Sequence, residues 1–252
     1  MDEVSRSTGR AVWGTRLGQW TVALTLVSLA VAAIGLTLAR YDIIAKLAGF
    51  TALLGGGLLA LLAALMGIAA LVAGRKSGIA GKGRTITAVG VSIAFAGFLA
   101  SRALAGGNVP PIHDITTDLA DPPRFKALTL RKDNLAGVGT IENWRNIHAA
   151  AYGDIRSITI PKLVPEVTAN AVRLAKAAGW DIAASDIGRG YVEATASVSY
   201  IRFRDDIAIR IVPSPDGNGS RVDMRSVSRV GVGDLGVNAR RIRDFLKALA
   251  AA

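Results

Sequence analysis

The chain has 252 residues, of which 51% are hydrophobic, and its 30 lysines and arginines against 19 acidic residues give a formal net charge of +11. It contains no cysteine, which excludes disulfides, cysteine-based zinc sites, iron–sulfur clusters and a thiol nucleophile. Ten basic and three acidic residues fall within positions 1–105, where the apolar residues are also concentrated. We interpret this charge as the cationic flanks of membrane segments, and we predict no nucleic-acid binding.

Three apolar segments predict transmembrane helices and therefore a lipid bilayer as the first partner. Residues 17–39 and 47–73 contain no charged side chain, and each segment is long enough to cross a hydrocarbon core of about 30 Å. The third segment, residues 85–104, contains Arg102 near its end, and this side chain must reach back to the interface. We predict that all three segments cross. If the third does not, the C-terminal domain lies in the cytoplasm.

The cations that flank these segments predict the orientation. One side of the membrane receives seven of them if all three segments cross: Arg6, Arg10, Arg16, Arg75, Lys76, Lys82 and Arg84. The other side receives Arg40, Lys46 and Arg102. Because cytoplasmic loops carry the excess of Lys and Arg, we predict a multi-pass protein of the bacterial inner membrane with a cytoplasmic N-terminus and an extracytoplasmic C-terminal domain.

The stretch that follows the third segment is rich in proline and glycine. Residues 106–123 contain two Pro-Pro pairs and a Gly-Gly pair, which disfavour both helix and sheet. We predict an extended tether here. Residues 124–154 show little periodicity, and we predict irregular structure there, apart from a short helix over 141–150.

Regular structure is predicted for the rest of a domain that spans residues 124–252. Alternating apolar residues predict strands over 155–160, 180–185, 191–199, 206–212 and 221–227. Amphipathic spacing predicts helices over 165–178 and 237–250. Because consecutive strands with short turns pair antiparallel, the order β-α-β-β-β-β-α predicts a two-layer α+β domain with two helices on one antiparallel sheet, comparable in architecture with helix-grip domains.

A glycine pattern precedes the last helix. Gly231, Gly233 and Gly236 form G-x-G-x-x-G between a predicted strand and a predicted helix, as in a dinucleotide fingerprint. That fingerprint needs a second parallel strand, but only one helix follows Gly236. Asp234 is also placed to cap the helix and to occupy the N–H groups that a phosphate needs. We therefore predict a tight turn and no dinucleotide.

Charged residues in the last strands are candidates for a binding site. Asp205 and Asp206 are adjacent, so in a strand they face opposite sides and cannot share a proton or a metal. We predict that they lie in a solvated turn. The neighbouring polar faces carry three arginines, Arg210, Arg225 and Arg229. The three arginines could form an anion-binding face, or Arg210 or Arg225 could form cross-strand ion pairs with Asp206 or Asp223, and we prefer the ion pairs.

The serines and histidines do not predict catalysis. Ser226 and Ser228 lack the G-x-S-x-G or S-x-x-K context of a serine nucleophile, and the two histidines of the chain, His113 and His148, lie far from them in sequence. His113 and Asp114, together with Asp118, could bind a metal on the predicted tether, but no supporting spacing accompanies them, so we predict neither a metal nor a cofactor.

Three blocks of sequence resemble a known family. "IHDITTDLADPPRF", "AAAYGDI" and "RFRDDIAIRI...SRVDMRSVSRVGVGDLGVNARRIRDFL" are similar to the uncharacterised bacterial family called domain of unknown function 1499, over about residues 110–249. The resemblance implies a shared fold behind N-terminal hydrophobic segments, and it implies no reaction. The family block includes Asp205, Asp206, Arg210, Arg225, Ser226, Ser228, Arg229, Asp234, Asn238, Arg240 and Arg241.

Two hypotheses of function follow from the sequence. The first is a non-catalytic envelope protein whose extracytoplasmic domain binds a protein partner or an amphipathic or anionic ligand. The second is an enzyme that acts on an anionic envelope substrate, with Asp205 or Asp206 as acid or base and with Arg225 and Arg229 holding the anion. A membrane sensor is a third alternative, on which the sequence gives no information.

Overall fold

The computed structural model describes residues 2–75, 78–105 and 109–252, and the chain divides into two compact units, Met1–Ala105 and Gly106–Ala252. The first unit contains three helices, α1 (Asp2–Arg40), α2 (Lys46–Ala73) and α3 (Lys82–Ala105). Their segments Ala11–Arg40, Lys46–Ala73 and Lys82–Leu104 are each long and apolar enough to cross a membrane. The three apolar helices predicted from the sequence are therefore present.

Small residues allow these helices to pack closely. Gly56 of α2 is buried, and a Cβ added to it would overlap the carbonyl oxygen of Ser28 on α1. A hydrogen bond of 2.9 Å between the hydroxyl groups of Thr25 and Ser92 joins α1 to α3 inside the unit. Lipid tails are as apolar as the side chains, so burial between helices gives no hydrophobic gain in a bilayer. Close backbone contacts and such hydrogen bonds hold helices together there.

The second unit is an antiparallel sheet with helices, which confirms the predicted α+β class. Its elements are β1 (Asp114–Thr116), α4 (Ile141–Tyr152), β2 (Ile158–Ile160), α5 (Val164–Ala177), β3 (Asp181–Asp186), β4 (Tyr191–Val198), β5 (Phe203–Pro213), β6 (Ser220–Ser228) and α6 (Val237–Ala250). The strand order is β1-β6-β5-β4-β3, and β2 pairs with β6 on the same side as β1. The sheet is covered on one face by α5 and α6.

The predicted tether over residues 106–123 is wrong where the structure describes it. Residues 114–116 form β1, which pairs with β6 through Asp114 opposite Val227 and Thr116 opposite Arg225. Ile112 and Ile115 are buried in the core, and the indole of Trp144 on α4 donates a hydrogen bond to the Asp114 carbonyl. A strand of three residues between proline pairs is too short to show the period of two on which the sequence analysis relied.

The core lies between the sheet and the two helices. Ile207, Ile209 and Ile211 alternate along β5 and are fully buried in the core, on the face of the sheet that contacts α5. The ring of Trp180 stacks on Phe245 of α6 at a centroid distance of 4.8 Å. This amphipathic arrangement is the one that the spacing of apolar residues predicted for both helices.

The other face of the sheet, called here the outer face, is covered by an irregular segment of residues 117–135. The anchor is Glu193 of β4, which is fully buried and whose carboxylate accepts hydrogen bonds from three successive backbone N–H groups, those of Lys126, Ala127 and Leu128. A buried carboxylate is stable only when its lone pairs are satisfied, and here the backbone of the segment satisfies them.

Two glycines with similar backbone angles lie in turns at the ends of strands, and substituting them tests how closely these turns pack. Gly190 and Gly217 have φ of +68° and +72°, but a Cβ on Gly190 would overlap the Ile211 carbonyl oxygen, whereas Gly217 has nothing within 4 Å. We expect Gly217→Ala to lower the free energy of unfolding by about 1 kcal/mol through backbone strain alone. Gly190→Ala should cost about 3 kcal/mol because the clash adds to the strain. Urea unfolding of the purified full chain measures both, and equal costs would contradict the packing described here.

Candidate functional site

The candidate residues lie in two clusters on opposite faces of β5 and β6. Asp205 points toward α6 and Asp206 points to the outer face, as adjacent strand residues must. Both residues are nonetheless buried, with relative exposures of 3% and 6%, so the prediction of a solvated turn is wrong. The reason is that β5 begins at Phe203 and both carboxylates have arginine partners inside the fold.

The helix-side cluster consists of Asp205, Ser226, Ser228, Asn238 and Arg241. Arg241 of α6 donates to the Asp205 carboxylate at 2.6 Å and to Ser226 Oγ at 2.8 Å. Ser226 donates to Asn238 Oδ1 at 2.6 Å, and Asn238 Nδ2 donates to Ser228 Oγ and to the His113 carbonyl, both at 2.9 Å. Both serine hydroxyls are thus bound in a buried network that joins α6 to β6.

Local sequence periodicity builds this cluster. Asn238 and Arg241 are three positions apart on α6 and so share one face of the helix, while Ser226 and Ser228 are two apart on β6 and share one face of the strand. The two faces meet because Ile242 and Leu249 on the same side of α6 are buried in the core.

Asp234 holds the turn between β6 and α6, as predicted for a capping carboxylate. Its two oxygens accept from the backbone N–H groups of Gly236 at 2.9 Å and Asn238 at 2.6 Å. Burial raises the pKa of Asp234 above its usual value, the two backbone donors oppose that shift, and the nearby Asp205 carboxylate adds to it. Two of the N–H groups at the start of α6 that a phosphate would require are therefore occupied.

The outer-face cluster centres on the pair of Asp206 and Arg229. Arg229 Nε lies 3.0 and 2.9 Å from the two carboxylate oxygens of Asp206, and its Nη2 lies 2.8 Å from one of them. Thr195 on β4 donates its hydroxyl to the same carboxylate at 2.9 Å and accepts from Arg229 at 3.1 Å. This multidentate contact satisfies the buried carboxylate and fixes the guanidinium.

The other two candidate arginines are also bound to carboxylates. Arg210 forms the predicted cross-strand pair with Asp223, at 2.9 Å, and it also contacts Asp118 and Asp121 of the covering segment. Arg225 contacts both carboxylate oxygens of Asp114 on β1, at 2.9 and 2.6 Å. The guanidinium groups thus bind partners within the domain rather than lining an open anion site.

Sequence reasoning missed four acidic residues that shape this face: Asp114, Asp118, Asp121 and Glu193. Three of them lie in the stretch predicted as a tether. Glu193 occupies a polar position of an alternating strand, which is typical of a solvated side chain. The available signal was charge balance, since arginines on a buried strand face require acidic partners from elsewhere in the chain.

A small cavity lies on the outer face of the second unit. Its volume is about 30 Å³, which is room for a single water molecule. Its lining includes Phe125, Thr129, Leu130, Asp206, Ser228 and Arg229. A shallow cleft of about 620 Å³ lies in the first unit, between α1 and the loop before α3, next to Thr15, Arg16 and Gln19.

The histidines have structural partners. His113 Nε2 lies 3.3 Å from Asn134 Oδ1, and His148 Nε2 accepts the backbone N–H of Thr116 at 3.1 Å. Within residues 2–75, 78–105 and 109–252, no group of three or more His, Asp or Glu residues could hold a metal ion. The bond to Thr116 places the proton of neutral His148 on Nδ1, which has no hydrogen-bond partner in the described part of the chain.

The buried ion pair of Asp205 and Arg241 is expected to carry more stability than an exposed pair on the same helix. Asp205→Asn leaves the buried Arg241 guanidinium without its counter-charge and should lower the free energy of unfolding by about 3–5 kcal/mol. Asp154→Asn is the matched control, because Asp154 and Arg243 also form a close pair but are 59% and 44% exposed. Its cost should stay below about 1 kcal/mol. Urea unfolding of both variants tests this, and similar costs would refute a buried network.

His148 should make the domain less stable in mild acid. Burial lowers the pKa of His148 below its usual 6.5, against the opposing charge of Asp114. Because the folded state then binds the proton less well than the unfolded state, stability is fully present above pH 6.5 and falls by up to about 1.4 kcal/mol per unit as the pH decreases.

The matched variant is His148→Gln, whose amide oxygen still accepts the Thr116 N–H but does not titrate. We expect the difference in free energy of unfolding between the two proteins to be independent of pH above 6.5. It should change with pH between about 6.5 and 5, where most carboxylates remain ionised. Asp234, whose raised pKa acts with the opposite sign, contributes equally to both proteins. Parallel stability curves would show that His148 is not the group that titrates.

Comparison with known proteins concerns the second unit. Residues 114–249, more than half of the chain, match the family described as protein of unknown function (DUF1499). The match begins at β1 and ends within the last turn of α6, so it includes both clusters. No curated protein and no solved structure matches the chain. The extent of the match, together with the antiparallel α+β fold, shows that the chain belongs to the DUF1499 family.

Proposed function

We propose that the protein is a multi-pass protein of the bacterial inner membrane whose C-terminal domain lies outside the cytoplasm and binds an envelope protein or an amphipathic or anionic ligand without catalysing a reaction. The location is supported by the three apolar helices and by the seven-to-three distribution of flanking cations. The non-catalytic role is supported by the pairing of the candidate charges with one another.

The observation that carries the non-catalytic role is that the candidate acids and arginines bind each other. Asp205 pairs with Arg241 and Asp206 pairs with Arg229. A general acid or base needs a substrate within hydrogen-bond reach, and the cavity beside Asp206 has room for one water molecule. The enzyme hypothesis would require the segment of residues 117–135 to move off the outer face. Arg225 would also have to leave Asp114 before it could bind an anion.

Reporter fusions test the location. Alkaline phosphatase, which is active only outside the cytoplasm, and green fluorescent protein, which is fluorescent only inside, are fused separately after Ala252. We expect phosphatase activity without fluorescence. Fusions after Ile79, in the loop between α2 and α3, are the matched control and should give the reverse pattern. Fluorescence from the Ala252 fusion would place the domain in the cytoplasm and remove envelope molecules from its partners.

A further inference from the structure

The loop that carries the glycine pattern has a feature that the proposed function does not use. This glycine loop, residues 230–236, joins β6 to α6 and exposes two large apolar side chains, Val232 at 48% and Leu235 at 66%. Single exposed apolar residues are common on proteins. Here two of them lie within four positions of one loop. The conformation of the loop and its neighbouring residues indicate whether the two side chains form a contact surface.

The glycine loop is held in a fixed conformation. Arg131 donates to the Gly231 carbonyl at 2.7 Å, and Asp234 accepts from the N–H groups of Gly236 and Asn238. Leu235 has a φ of +53°, in the left-handed region, which is strained for a residue with a Cβ. The loop thus accepts backbone strain in an arrangement that leaves Leu235 outside the core, and strained backbone of this kind is often found where a protein makes contacts.

The glycine loop lies where the chain enters the domain. A Cβ on Gly233 would lie 3.3 Å from Cα of Pro111, and a Cβ on Gly236 would lie 3.6 Å from the side chain of Val109. Val109 follows Ala105, the last residue of α3, by four positions. The segment on which the loop packs is therefore separated by only a few positions in the chain from a helix that is apolar enough to cross a bilayer.

Two exposed basic side chains lie near the glycine loop, and the exposed Asp133 beside it is paired with Arg131. Arg240 is exposed in the first turn of α6, four positions after Gly236, and Lys132 is exposed next to the Arg131 that holds the loop. Apolar side chains that enter the headgroup region, flanked by lysine and arginine that meet lipid phosphates, are the usual composition of surfaces that lie on membranes.

We propose that the glycine loop is a membrane-contact element that seats Val232 and Leu235 in the headgroup region of the bilayer, with Arg240 facing anionic lipid phosphates. The contact rests on the membrane anchorage of the proposed function but not on the side of the membrane to which the domain is assigned. It orients the domain on the lipid surface and leaves the opposite end of the sheet free for a partner.

Spin labels on the full chain in lipid nanodiscs test this contact. The chain has no cysteine, so Leu235→Cys and Val232→Cys each provide a single labelling site. The control is Ile187→Cys: Ile187 is similarly exposed, at 47%, but lies in the turn between β3 and β4, at the other end of the strands. Accessibility of each label to oxygen, which concentrates in lipid, is compared with accessibility to a water-soluble nickel chelate.

We expect the labels at positions 232 and 235 to be reached by oxygen and shielded from nickel, and the label at 187 to show the reverse. Nickel accessibility at 232 and 235 equal to that at 187 would overturn the proposal, and so would lipid accessibility at all three positions, since no particular end of the domain would then face the bilayer. A cytoplasmic reporter signal at Ala252 would refute the proposed location without changing this result.

Arg240→Gln tests the charged part of the contact without altering the labelled residues. In nanodiscs that contain anionic lipid, we expect the Leu235→Cys label to lose part of its shielding from nickel when Arg240→Gln is added. In nanodiscs of purely zwitterionic lipid the substitution should have no effect. An equal loss in both lipids would contradict recognition of anionic headgroups by Arg240.

Discussion

The ion pair of Asp114 and Arg225 fixes the start of the domain, and much of the remaining arrangement depends on it. Both side chains are nearly buried, and Arg225 Nη2 lies 2.6 Å from the carboxylate. The pair fastens β1 to β6, so the chain that follows β1 begins at the sheet and runs over its outer face. From there Asp118 and Asp121 reach Arg210, and the backbone of residues 126–128 reaches Glu193. Since each of these charges would be costly to bury alone, the covering segment and the polar face of the sheet stabilise each other.

The parts of the fold that the sequence predicted are those with long periodic patterns. α6 was predicted over 237–250 and is observed at Val237–Ala250, and β4, β5 and β6 lie within three residues of their predicted bounds. Each combines an apolar stripe with turn residues on both sides, so local pattern and tertiary packing agree. β1 has neither advantage. Its three residues include the polar Asp114 and Thr116, which are buried through partners more than a hundred positions away in the chain. A pattern of apolar residues cannot indicate a strand whose burial depends on ion pairing.

The same distinction applies to the candidate site. The opposite orientation of Asp205 and Asp206, the pair of Arg210 with Asp223 and the capping role of Asp234 follow from strand alternation and turn chemistry, and the structure contains all three. The sequence did not indicate that Asp206 binds Arg229 or that Arg225 binds Asp114, because adjacency across a sheet depends on register. Glu193 shows the limit most clearly. In a strand that alternates polar and apolar residues, its position is typical of solvent exposure, yet an irregular segment with no periodic signal covers it completely.

The glycine pattern shows how one motif can meet two different chemical demands. A dinucleotide site uses such glycines to bring free backbone N–H groups close to a phosphate. In this protein Asp234 already accepts hydrogen bonds from the N–H groups of Gly236 and Asn238, so these donors are not free for a phosphate. A dinucleotide site also needs a parallel sheet, whereas β6 runs antiparallel to its neighbours β1, β2 and β5. The groups that the loop leaves exposed are apolar side chains. A surface that offers hydrocarbon beside arginine, and whose Asp234 already binds the N–H groups of Gly236 and Asn238, matches the chemistry of a lipid interface better than that of a nucleotide.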